Sequence, residues 1–119
     1  MLTKAKDVES VEFPWGHLAW LVSGELGNSE AMTFGRVKIK SGQANPRHMH
    51  PNSEEILYLL SGELEHSLGE KVFRMSPGDV ISIPIGVFHN ARSVDSDDAE
   101  MLVAFSTPDR QMVLEEAKP

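Results

Sequence analysis

Apolar runs of four to eight residues alternate along this chain with clusters of Gly, Pro, Asn, Asp and Ser. Within many of the runs apolar and polar positions also alternate, and a period of two puts one face on a core and the other toward water. The pattern predicts strands at Val8–Phe13, His17–Ser23, Ala31–Lys40, Arg47–His50, Glu55–Leu60, Glu63–Leu68, Lys71–Met75, Asp79–Pro84, Val87–Val94 and Glu100–Ser106. Leu68-Gly69-Glu70 reads as a hairpin connection, and Ser76-Pro77-Gly78-Asp79 places Pro and Gly where a type II turn needs them. The strands they flank are therefore antiparallel neighbours. One helical signal is terminal: Thr107 as N-cap, Pro108 at the first position, Glu115 and Glu116 beyond. Short strands with dense turn signals predict an all-β sandwich or barrel. Leu21–Leu26 resembles Leu59–Leu64, but nothing recurs at a fixed period, so a repeat array is not supported.

With 119 residues, 40% of them hydrophobic, the chain suits one compact domain with a thin stability margin, for which a partner subunit would be useful. Eleven Lys plus Arg against eighteen Asp plus Glu leave a net charge of −7, the wrong sign for binding a phosphate backbone, so no nucleic-acid partner is expected. There is no cysteine, which excludes disulfides, thiolate metal sites and a Cys nucleophile. The first residues, Met1 to Asp7, run into charge without an apolar region, and no stretch approaches a membrane span. The expected compartment is the cytoplasm.

The chemistry concentrates between Gly42 and Asn90. On a strand, His48 and His50 project to one face while Arg47 and Met49 project to the other. Glu55 opens the next strand with Leu57 and Leu59 as its same-face companions, a lone carboxylate on an apolar surface and costly if unpaired. A divalent cation held by the two imidazoles and Glu55 removes that cost, because this donor set suits first-row ions from Mn to Zn. A second stretch, Gly78 to Asn90, supplies a strand, a Pro-x-Gly turn and a third histidine, His89.

These two stretches resemble the paired motifs of the cupin superfamily. The first, Gly-x5-His-x-His-x4-Glu-x6-Gly, is matched at Gly42, His48, His50, Glu55 and Gly62; the second, Gly-x5-Pro-x-Gly-x2-His-x3-Asn, at Gly78, Pro84, Gly86 and His89, with Ser93 in place of the final Asn. The resemblance implies a double-sheet antiparallel jelly-roll barrel at about residues 17–106 within a single domain spanning 1–119, its termini arm-like. It also implies one divalent transition metal per chain, Fe, Mn, Ni or Zn, on His48, His50, Glu55 and His89, with one or two positions open to ligand. A 2+ ion less one carboxylate leaves +1 in an apolar cavity, worth roughly 4 kcal/mol to an anion at about 4 Å and an effective dielectric near 20, so an anionic or chelating small molecule is expected. The activity implied is that of a small-molecule metalloenzyme, an isomerase or lyase acting on a sugar acid or another small carboxylate. A metal-dependent dioxygenase and a non-catalytic metabolite-binding cupin share the ligand set, and no catalytic side chain beyond the ligands is singled out.

Other residues carry a plainer reading beside a functional one. Glu54 has the wrong parity for acid/base work beside Glu55 and reads as solvated. His17 and His66 read as surface or core histidines rather than site residues, and Trp15 and Trp20 as core or interface residues that could also line a pocket. Asn45 and Arg47 lie near the entrance, with Arg47 facing away from the cavity. Ile56, Tyr58 and Leu60 make the outer face of their strand apolar as well, and a second sheet layer or a symmetric partner subunit would cover it, a homodimer being the favoured arrangement.

Overall fold

The structure, a computed structural model, describes residues 1–116. After a short 3-10 turn at Ala5–Asp7 the chain forms β1 (Ser10–Phe13), β2 (Gly16–Val22), β3 (Thr33–Ile39), β4 (His48–Met49), β5 (Glu55–Ser61) and β6 (Leu64–Leu68). It continues through β7 (Lys71–Met75), β8 (Val80–Ile83), β9 (His89–Ser93), β10 (Ala99–Phe105) and β11 (Val113–Leu114). Two antiparallel sheets result, one ordered β1-β2-β3-β10-β5-β8 and the other β11-β4-β9-β6-β7. This is the double-sheet jelly roll anticipated above, and the ten anticipated strands all lie within two residues of observed ones. No helix among the described residues is long and apolar enough to cross a membrane.

Alternation builds the interior. Along β10, Ala99, Met101, Val103 and Phe105 are buried while the residues between them are partly open; along β5, Glu55, Leu57 and Leu59 point in while Ile56, Tyr58 and Leu60 are exposed. Leu64, Met75 and Ala91 close the core from the smaller sheet. Two glycines make close approaches possible. Gly62, at φ +82°, lies where an added Cβ would stand 2.7 Å from the Ala99 Cα, which accounts for glycine at that motif position. A Cβ on Gly35 would stand 2.8 Å from the Trp20 ring, so glycine there admits the indole.

The C-terminal helix does not form. The hydroxyl of Thr107 accepts a hydrogen bond from Asp109 N, at 3.3 Å, making a local turn, and the carbonyls a helix would use are taken from outside. Thr33 Oγ1 donates to Thr107 O at 2.8 Å and Gly24 N to Pro108 O at 2.8 Å. Extended by these contacts, the segment runs across the barrel mouth and ends in β11, which pairs Val113 with Met49 and Leu114 with His48. Tertiary partners thus override a weak local signal.

Candidate metal centre

The four motif side chains meet at one end of the barrel. His48 on β4 pairs in register with His89 on β9. His50 follows β4, and Glu55 opens β5 opposite Phe105. One donor atom from each of the four lies within 4.8 Å of the others. His50, Glu55 and His89 are 2%, 5% and 2% exposed, so water does not solvate the cluster freely.

The orientation of each imidazole is fixed from behind. His48 Nδ1 donates to Pro46 O at 2.7 Å, His50 Nδ1 to Gln111 O at 2.8 Å and His89 Nδ1 to Val87 O at 2.9 Å. Carbonyl oxygens only accept, so each Nδ1 carries a hydrogen, and a ring with no second proton presents an Nε2 lone pair to the centre. There the lone pairs face an anion. His89 Nε2 and His50 Nε2 both lie 3.1 Å from Glu55 Oε1. For His50 the alignment does not make a hydrogen bond, leaving a buried ring nitrogen without a partner. Converging lone pairs repel unless a cation sits among them, and an imidazole–carboxylate set oriented by backbone carbonyls fits a first-row divalent metal.

The electrostatics agree with that. Burial lowers His48 to about 4, so its ring is neutral near pH 7 and free to donate electrons. Burial alone would raise the Glu55 carboxyl, but with an Nε2 proton on His50 and His89 their hydrogen bonds and positive charge outweigh it and bring the group down to about 2; in the lone-pair tautomer, that positive charge would have to come from a cation. A cavity of about 170 Å³ opens beside the cluster, with Trp15, Leu18, Trp20 and Phe105 among its apolar walls.

The remaining singled-out residues separate cleanly. Glu54 is exposed and faces away. Arg47 turns from the cavity, as parity required, donating to Ser67 Oγ at 2.9 Å and pairing with Glu115 at 3.2 Å. Asn45 lines the cavity while its Oδ1 accepts from Ala91 N at 2.8 Å. His17 lies 3.8 Å from Glu12 on the outside. Ser93 is fully buried, with Oγ donating to Asp97 O at 3.3 Å. Trp15 and Trp20 serve in both expected ways, packed on the core and lining the cavity.

His66, read above as outside the site, in fact lines the cavity, its ring stacked 5.9 Å from that of His89 and its Nδ1 buried without a partner. Burial takes its pKa to about 4. Its shared parity with Leu64 and Leu68 is the signal that places it inside. Arg110, Met112 and Leu114 also line the cavity; they alternate along the crossing segment, but the run is short, only Leu114 lies in a strand, β11, and the Thr107–Pro108 signal marks the same stretch as helical.

Compared with known proteins, residues 35–105 match the family model described as the cupin domain, more than half of the chain. The chain belongs to the cupin family. Among curated relatives, this cupin is 28% identical over 101 residues to polyketide synthase CurC of Streptomyces cyaneus, covering 85% of this chain and 66% of that one. It is 30% identical over 88 residues to oxalate oxidase GF-2.8 of Triticum aestivum, covering 67% and 39%. The oxalate decarboxylase of Lactobacillus farciminis, solved as a formate complex, superposes with a TM-score of 0.85 at 24% identity, over 92% of this chain and 34% of that one. The Bacillus subtilis oxalate decarboxylase, in a structure concerned with its Mn(II) centres, gives 0.83 at 22% identity, over 89% and 29%. Both decarboxylases share the fold, and this cupin spans only about a third of their length.

Proposed function

We propose that His48, His50, Glu55 and His89 hold one divalent metal and that the chain is a metalloenzyme of lyase type acting on a small carboxylate. The observation that carries this is the convergence of three carbonyl-oriented Nε2 atoms on the buried Glu55 carboxylate. Mn(II) is the favoured ion, supported by the donor set and by the Mn(II) centres named for the B. subtilis fold neighbour. When bound, the ion supplies Lewis acidity toward a ligand oxygen. The chain's own residues do the rest: the three Nδ1–H bonds hold the rings in one tautomer, Glu55 offsets part of the ion's charge, and Trp20, Phe105 and Leu57 keep water from the ligand face. A sugar acid remains one candidate carboxylate; the names of the oxalate-acting relatives support shorter ones.

Metal-loaded protein incubated with a carboxylate panel, in air and under argon, tests the reading. Turnover in both gases is the expected result. Turnover only in air would replace the lyase by an oxygenase, and binding without turnover would leave a non-catalytic binder. Loss of activity and bound metal in His50→Ala would support the site; wild-type turnover by that variant after chelation would overturn it.

We place residues 1–119 in a single domain and in the cytoplasm, whose reducing conditions the absence of cysteine allows. A homodimer is our reading of the outer face of β5, where Ile56 and Tyr58 stay 50% and 42% exposed beside Val80. Sedimentation of the purified protein, with Tyr58→Lys as control, tests it.

A further inference from the structure

Among the described residues Arg110 is a cation without a salt-bridge partner, although the Glu55 carboxylate acts on it through space. Of the other arginines, Arg36, Arg47 and Arg74 pair with Glu100, Glu115 and Glu63, and Arg92 donates to Gly42 O. With the described residues Arg110 makes no ion pair and no hydrogen bond. Its guanidinium carbon lies instead 4.4 Å from the Trp20 ring centre and 5.3 Å from that of Phe105, cation–π contacts that hold the charge without using its donors. Arg110 lines the cavity that the four candidate metal ligands share.

The backbone around it is fixed as well. Asn52 Nδ2 donates to Asp109 O at 2.8 Å, and Gln111 N donates to Asn52 Oδ1 at 2.9 Å, so one amide grips the chain on either side of Arg110. Asn52 belongs to the loop that joins His50 to Glu55, and the segment that carries Arg110 orients His50 through Gln111 O. Metal ligands and guanidinium are thus positioned by one another. A planar fork of five donors, held on aromatic faces and unclaimed, matches a carboxylate.

We propose that Arg110 recognises a second carboxylate on the ligand, so that the site takes short dianions anchored at one end by the metal and at the other by the guanidinium. The proposal rests on the metal reading above and narrows its substrate class. Phe105 stands between the anchors, 5.3 Å from the guanidinium carbon and 4.9 Å from the His50 ring centre. The cation therefore lies within ~10 Å of that imidazole, a span for a backbone of a few carbons. Charge agrees: a 2+ ion, the Glu55 carboxylate and the Arg110 guanidinium together carry +2, which a dianion neutralises in a cavity where net charge is costly.

Calorimetric titration of Mn(II)-loaded protein with oxalate, malonate and succinate, each against its monoamide, tests this, with metal content measured on the same samples. The monoamide keeps size and one carboxylate but loses one charge. Wild type should bind at least one dianion about 10- to 100-fold more tightly than its monoamide, the scale of a charge-assisted pair. Arg110→Gln should bring that ratio within about threefold of unity at unchanged metal content, and Arg110→Lys, a charge without the fork, should fall between. Equal binding within every pair by wild type, or a preference that survives Arg110→Gln, overturns the proposal. Should Arg110→Gln fail to fold, the Lys variant decides, an undiminished preference overturning it. Failure of wild type to retain Mn(II) would remove the metal reading and this proposal together, and the metal analysis tells that outcome from the others.

Discussion

The two ends of the barrel are built from the same strands to opposite ends. At the closed end Ile39 stands opposite Ala99 and Leu64 opposite Met75, all nearly or fully inaccessible. At the open end the same two sheets present Glu55 opposite Phe105 and His48 opposite His89. Leu57 and Val103 form the layer between and belong to both, as core residues and as cavity wall. Burial at the closed end is straightforwardly stabilising, roughly 1.5–3 kcal/mol for each large aliphatic side chain. Burial at the open end is not, because it strips water from a carboxylate and four imidazoles and leaves ring nitrogens on His50 and His66 without partners. Stability is concentrated at one end and deliberately unsatisfied chemistry at the other.

Removing a ligand is the most direct way to break that contrast. His89→Ala should reduce metal affinity by more than the ~10–100-fold that loss of an outer-shell partner costs, read as metal per chain after dialysis, while stability without metal changes little. The closed end predicts the reverse. Leu59→Ala should cost about 2–5 kcal/mol in denaturant unfolding yet leave the metal content of the folded fraction unchanged. If Leu59→Ala instead released metal, the ends would not be separable.

Saturating metal should offset the open end's cost, adding about 2.7 kcal/mol at a hundredfold excess over Kd, seen as a rise in Tm that a chelator reverses. Acid should expose that cost in metal-free protein. Burial holds His48 and His66 at about 4 rather than 6.5. Between those values the unfolded chain takes up protons that the folded chain refuses, so stability falls as pH falls from 6.5 toward 4 and is flat above. Glu55, held at about 2 rather than 4.5, adds a loss of the same sign from pH 4.5 downward. His66→Leu should flatten the upper part of this profile, measured as Tm against pH, without loss of metal.

The difference between the ends also explains what could be read from residue order. Strand parity is a local property, so it placed Leu57, Leu59, His48, His50 and Glu55 on inward faces and turned Arg47 and Glu54 outward. Motif spacing added His89 from a distant strand. Parity equally contains His66, between Leu64 and Leu68, but an inward histidine reads as a core residue until its neighbour across the barrel is known. The crossing segment was not legible. Thr107 and Pro108 carry a helix-start signal that loses only because Gly24, Thr33 and Asn52, far away in sequence, take up the backbone groups of residues 107–111. Arg110 reaches the cavity through those long-range contacts alone.

The smallest predicted effect sharpens the comparison most, because it concerns the join between segment and site. Asn52 is exposed and touches no metal ligand, yet its amide holds Asp109 and Gln111, and Gln111 O receives the Nδ1–H of His50. Asn52→Ala removes two hydrogen bonds at a solvated site, about 1 kcal/mol of stability. If the crossing segment merely covered the mouth, metal affinity would be untouched. Because it orients His50, the variant should instead lose metal faster than wild type at equal folded fraction, by several-fold in the rate of transfer to a chelator. Asn52→Asp, which keeps the acceptor for Gln111 N but sets a carboxylate oxygen against Asp109 O, should not restore the wild-type rate, whereas an unchanged rate in Asn52→Ala would make the segment a cover and nothing more.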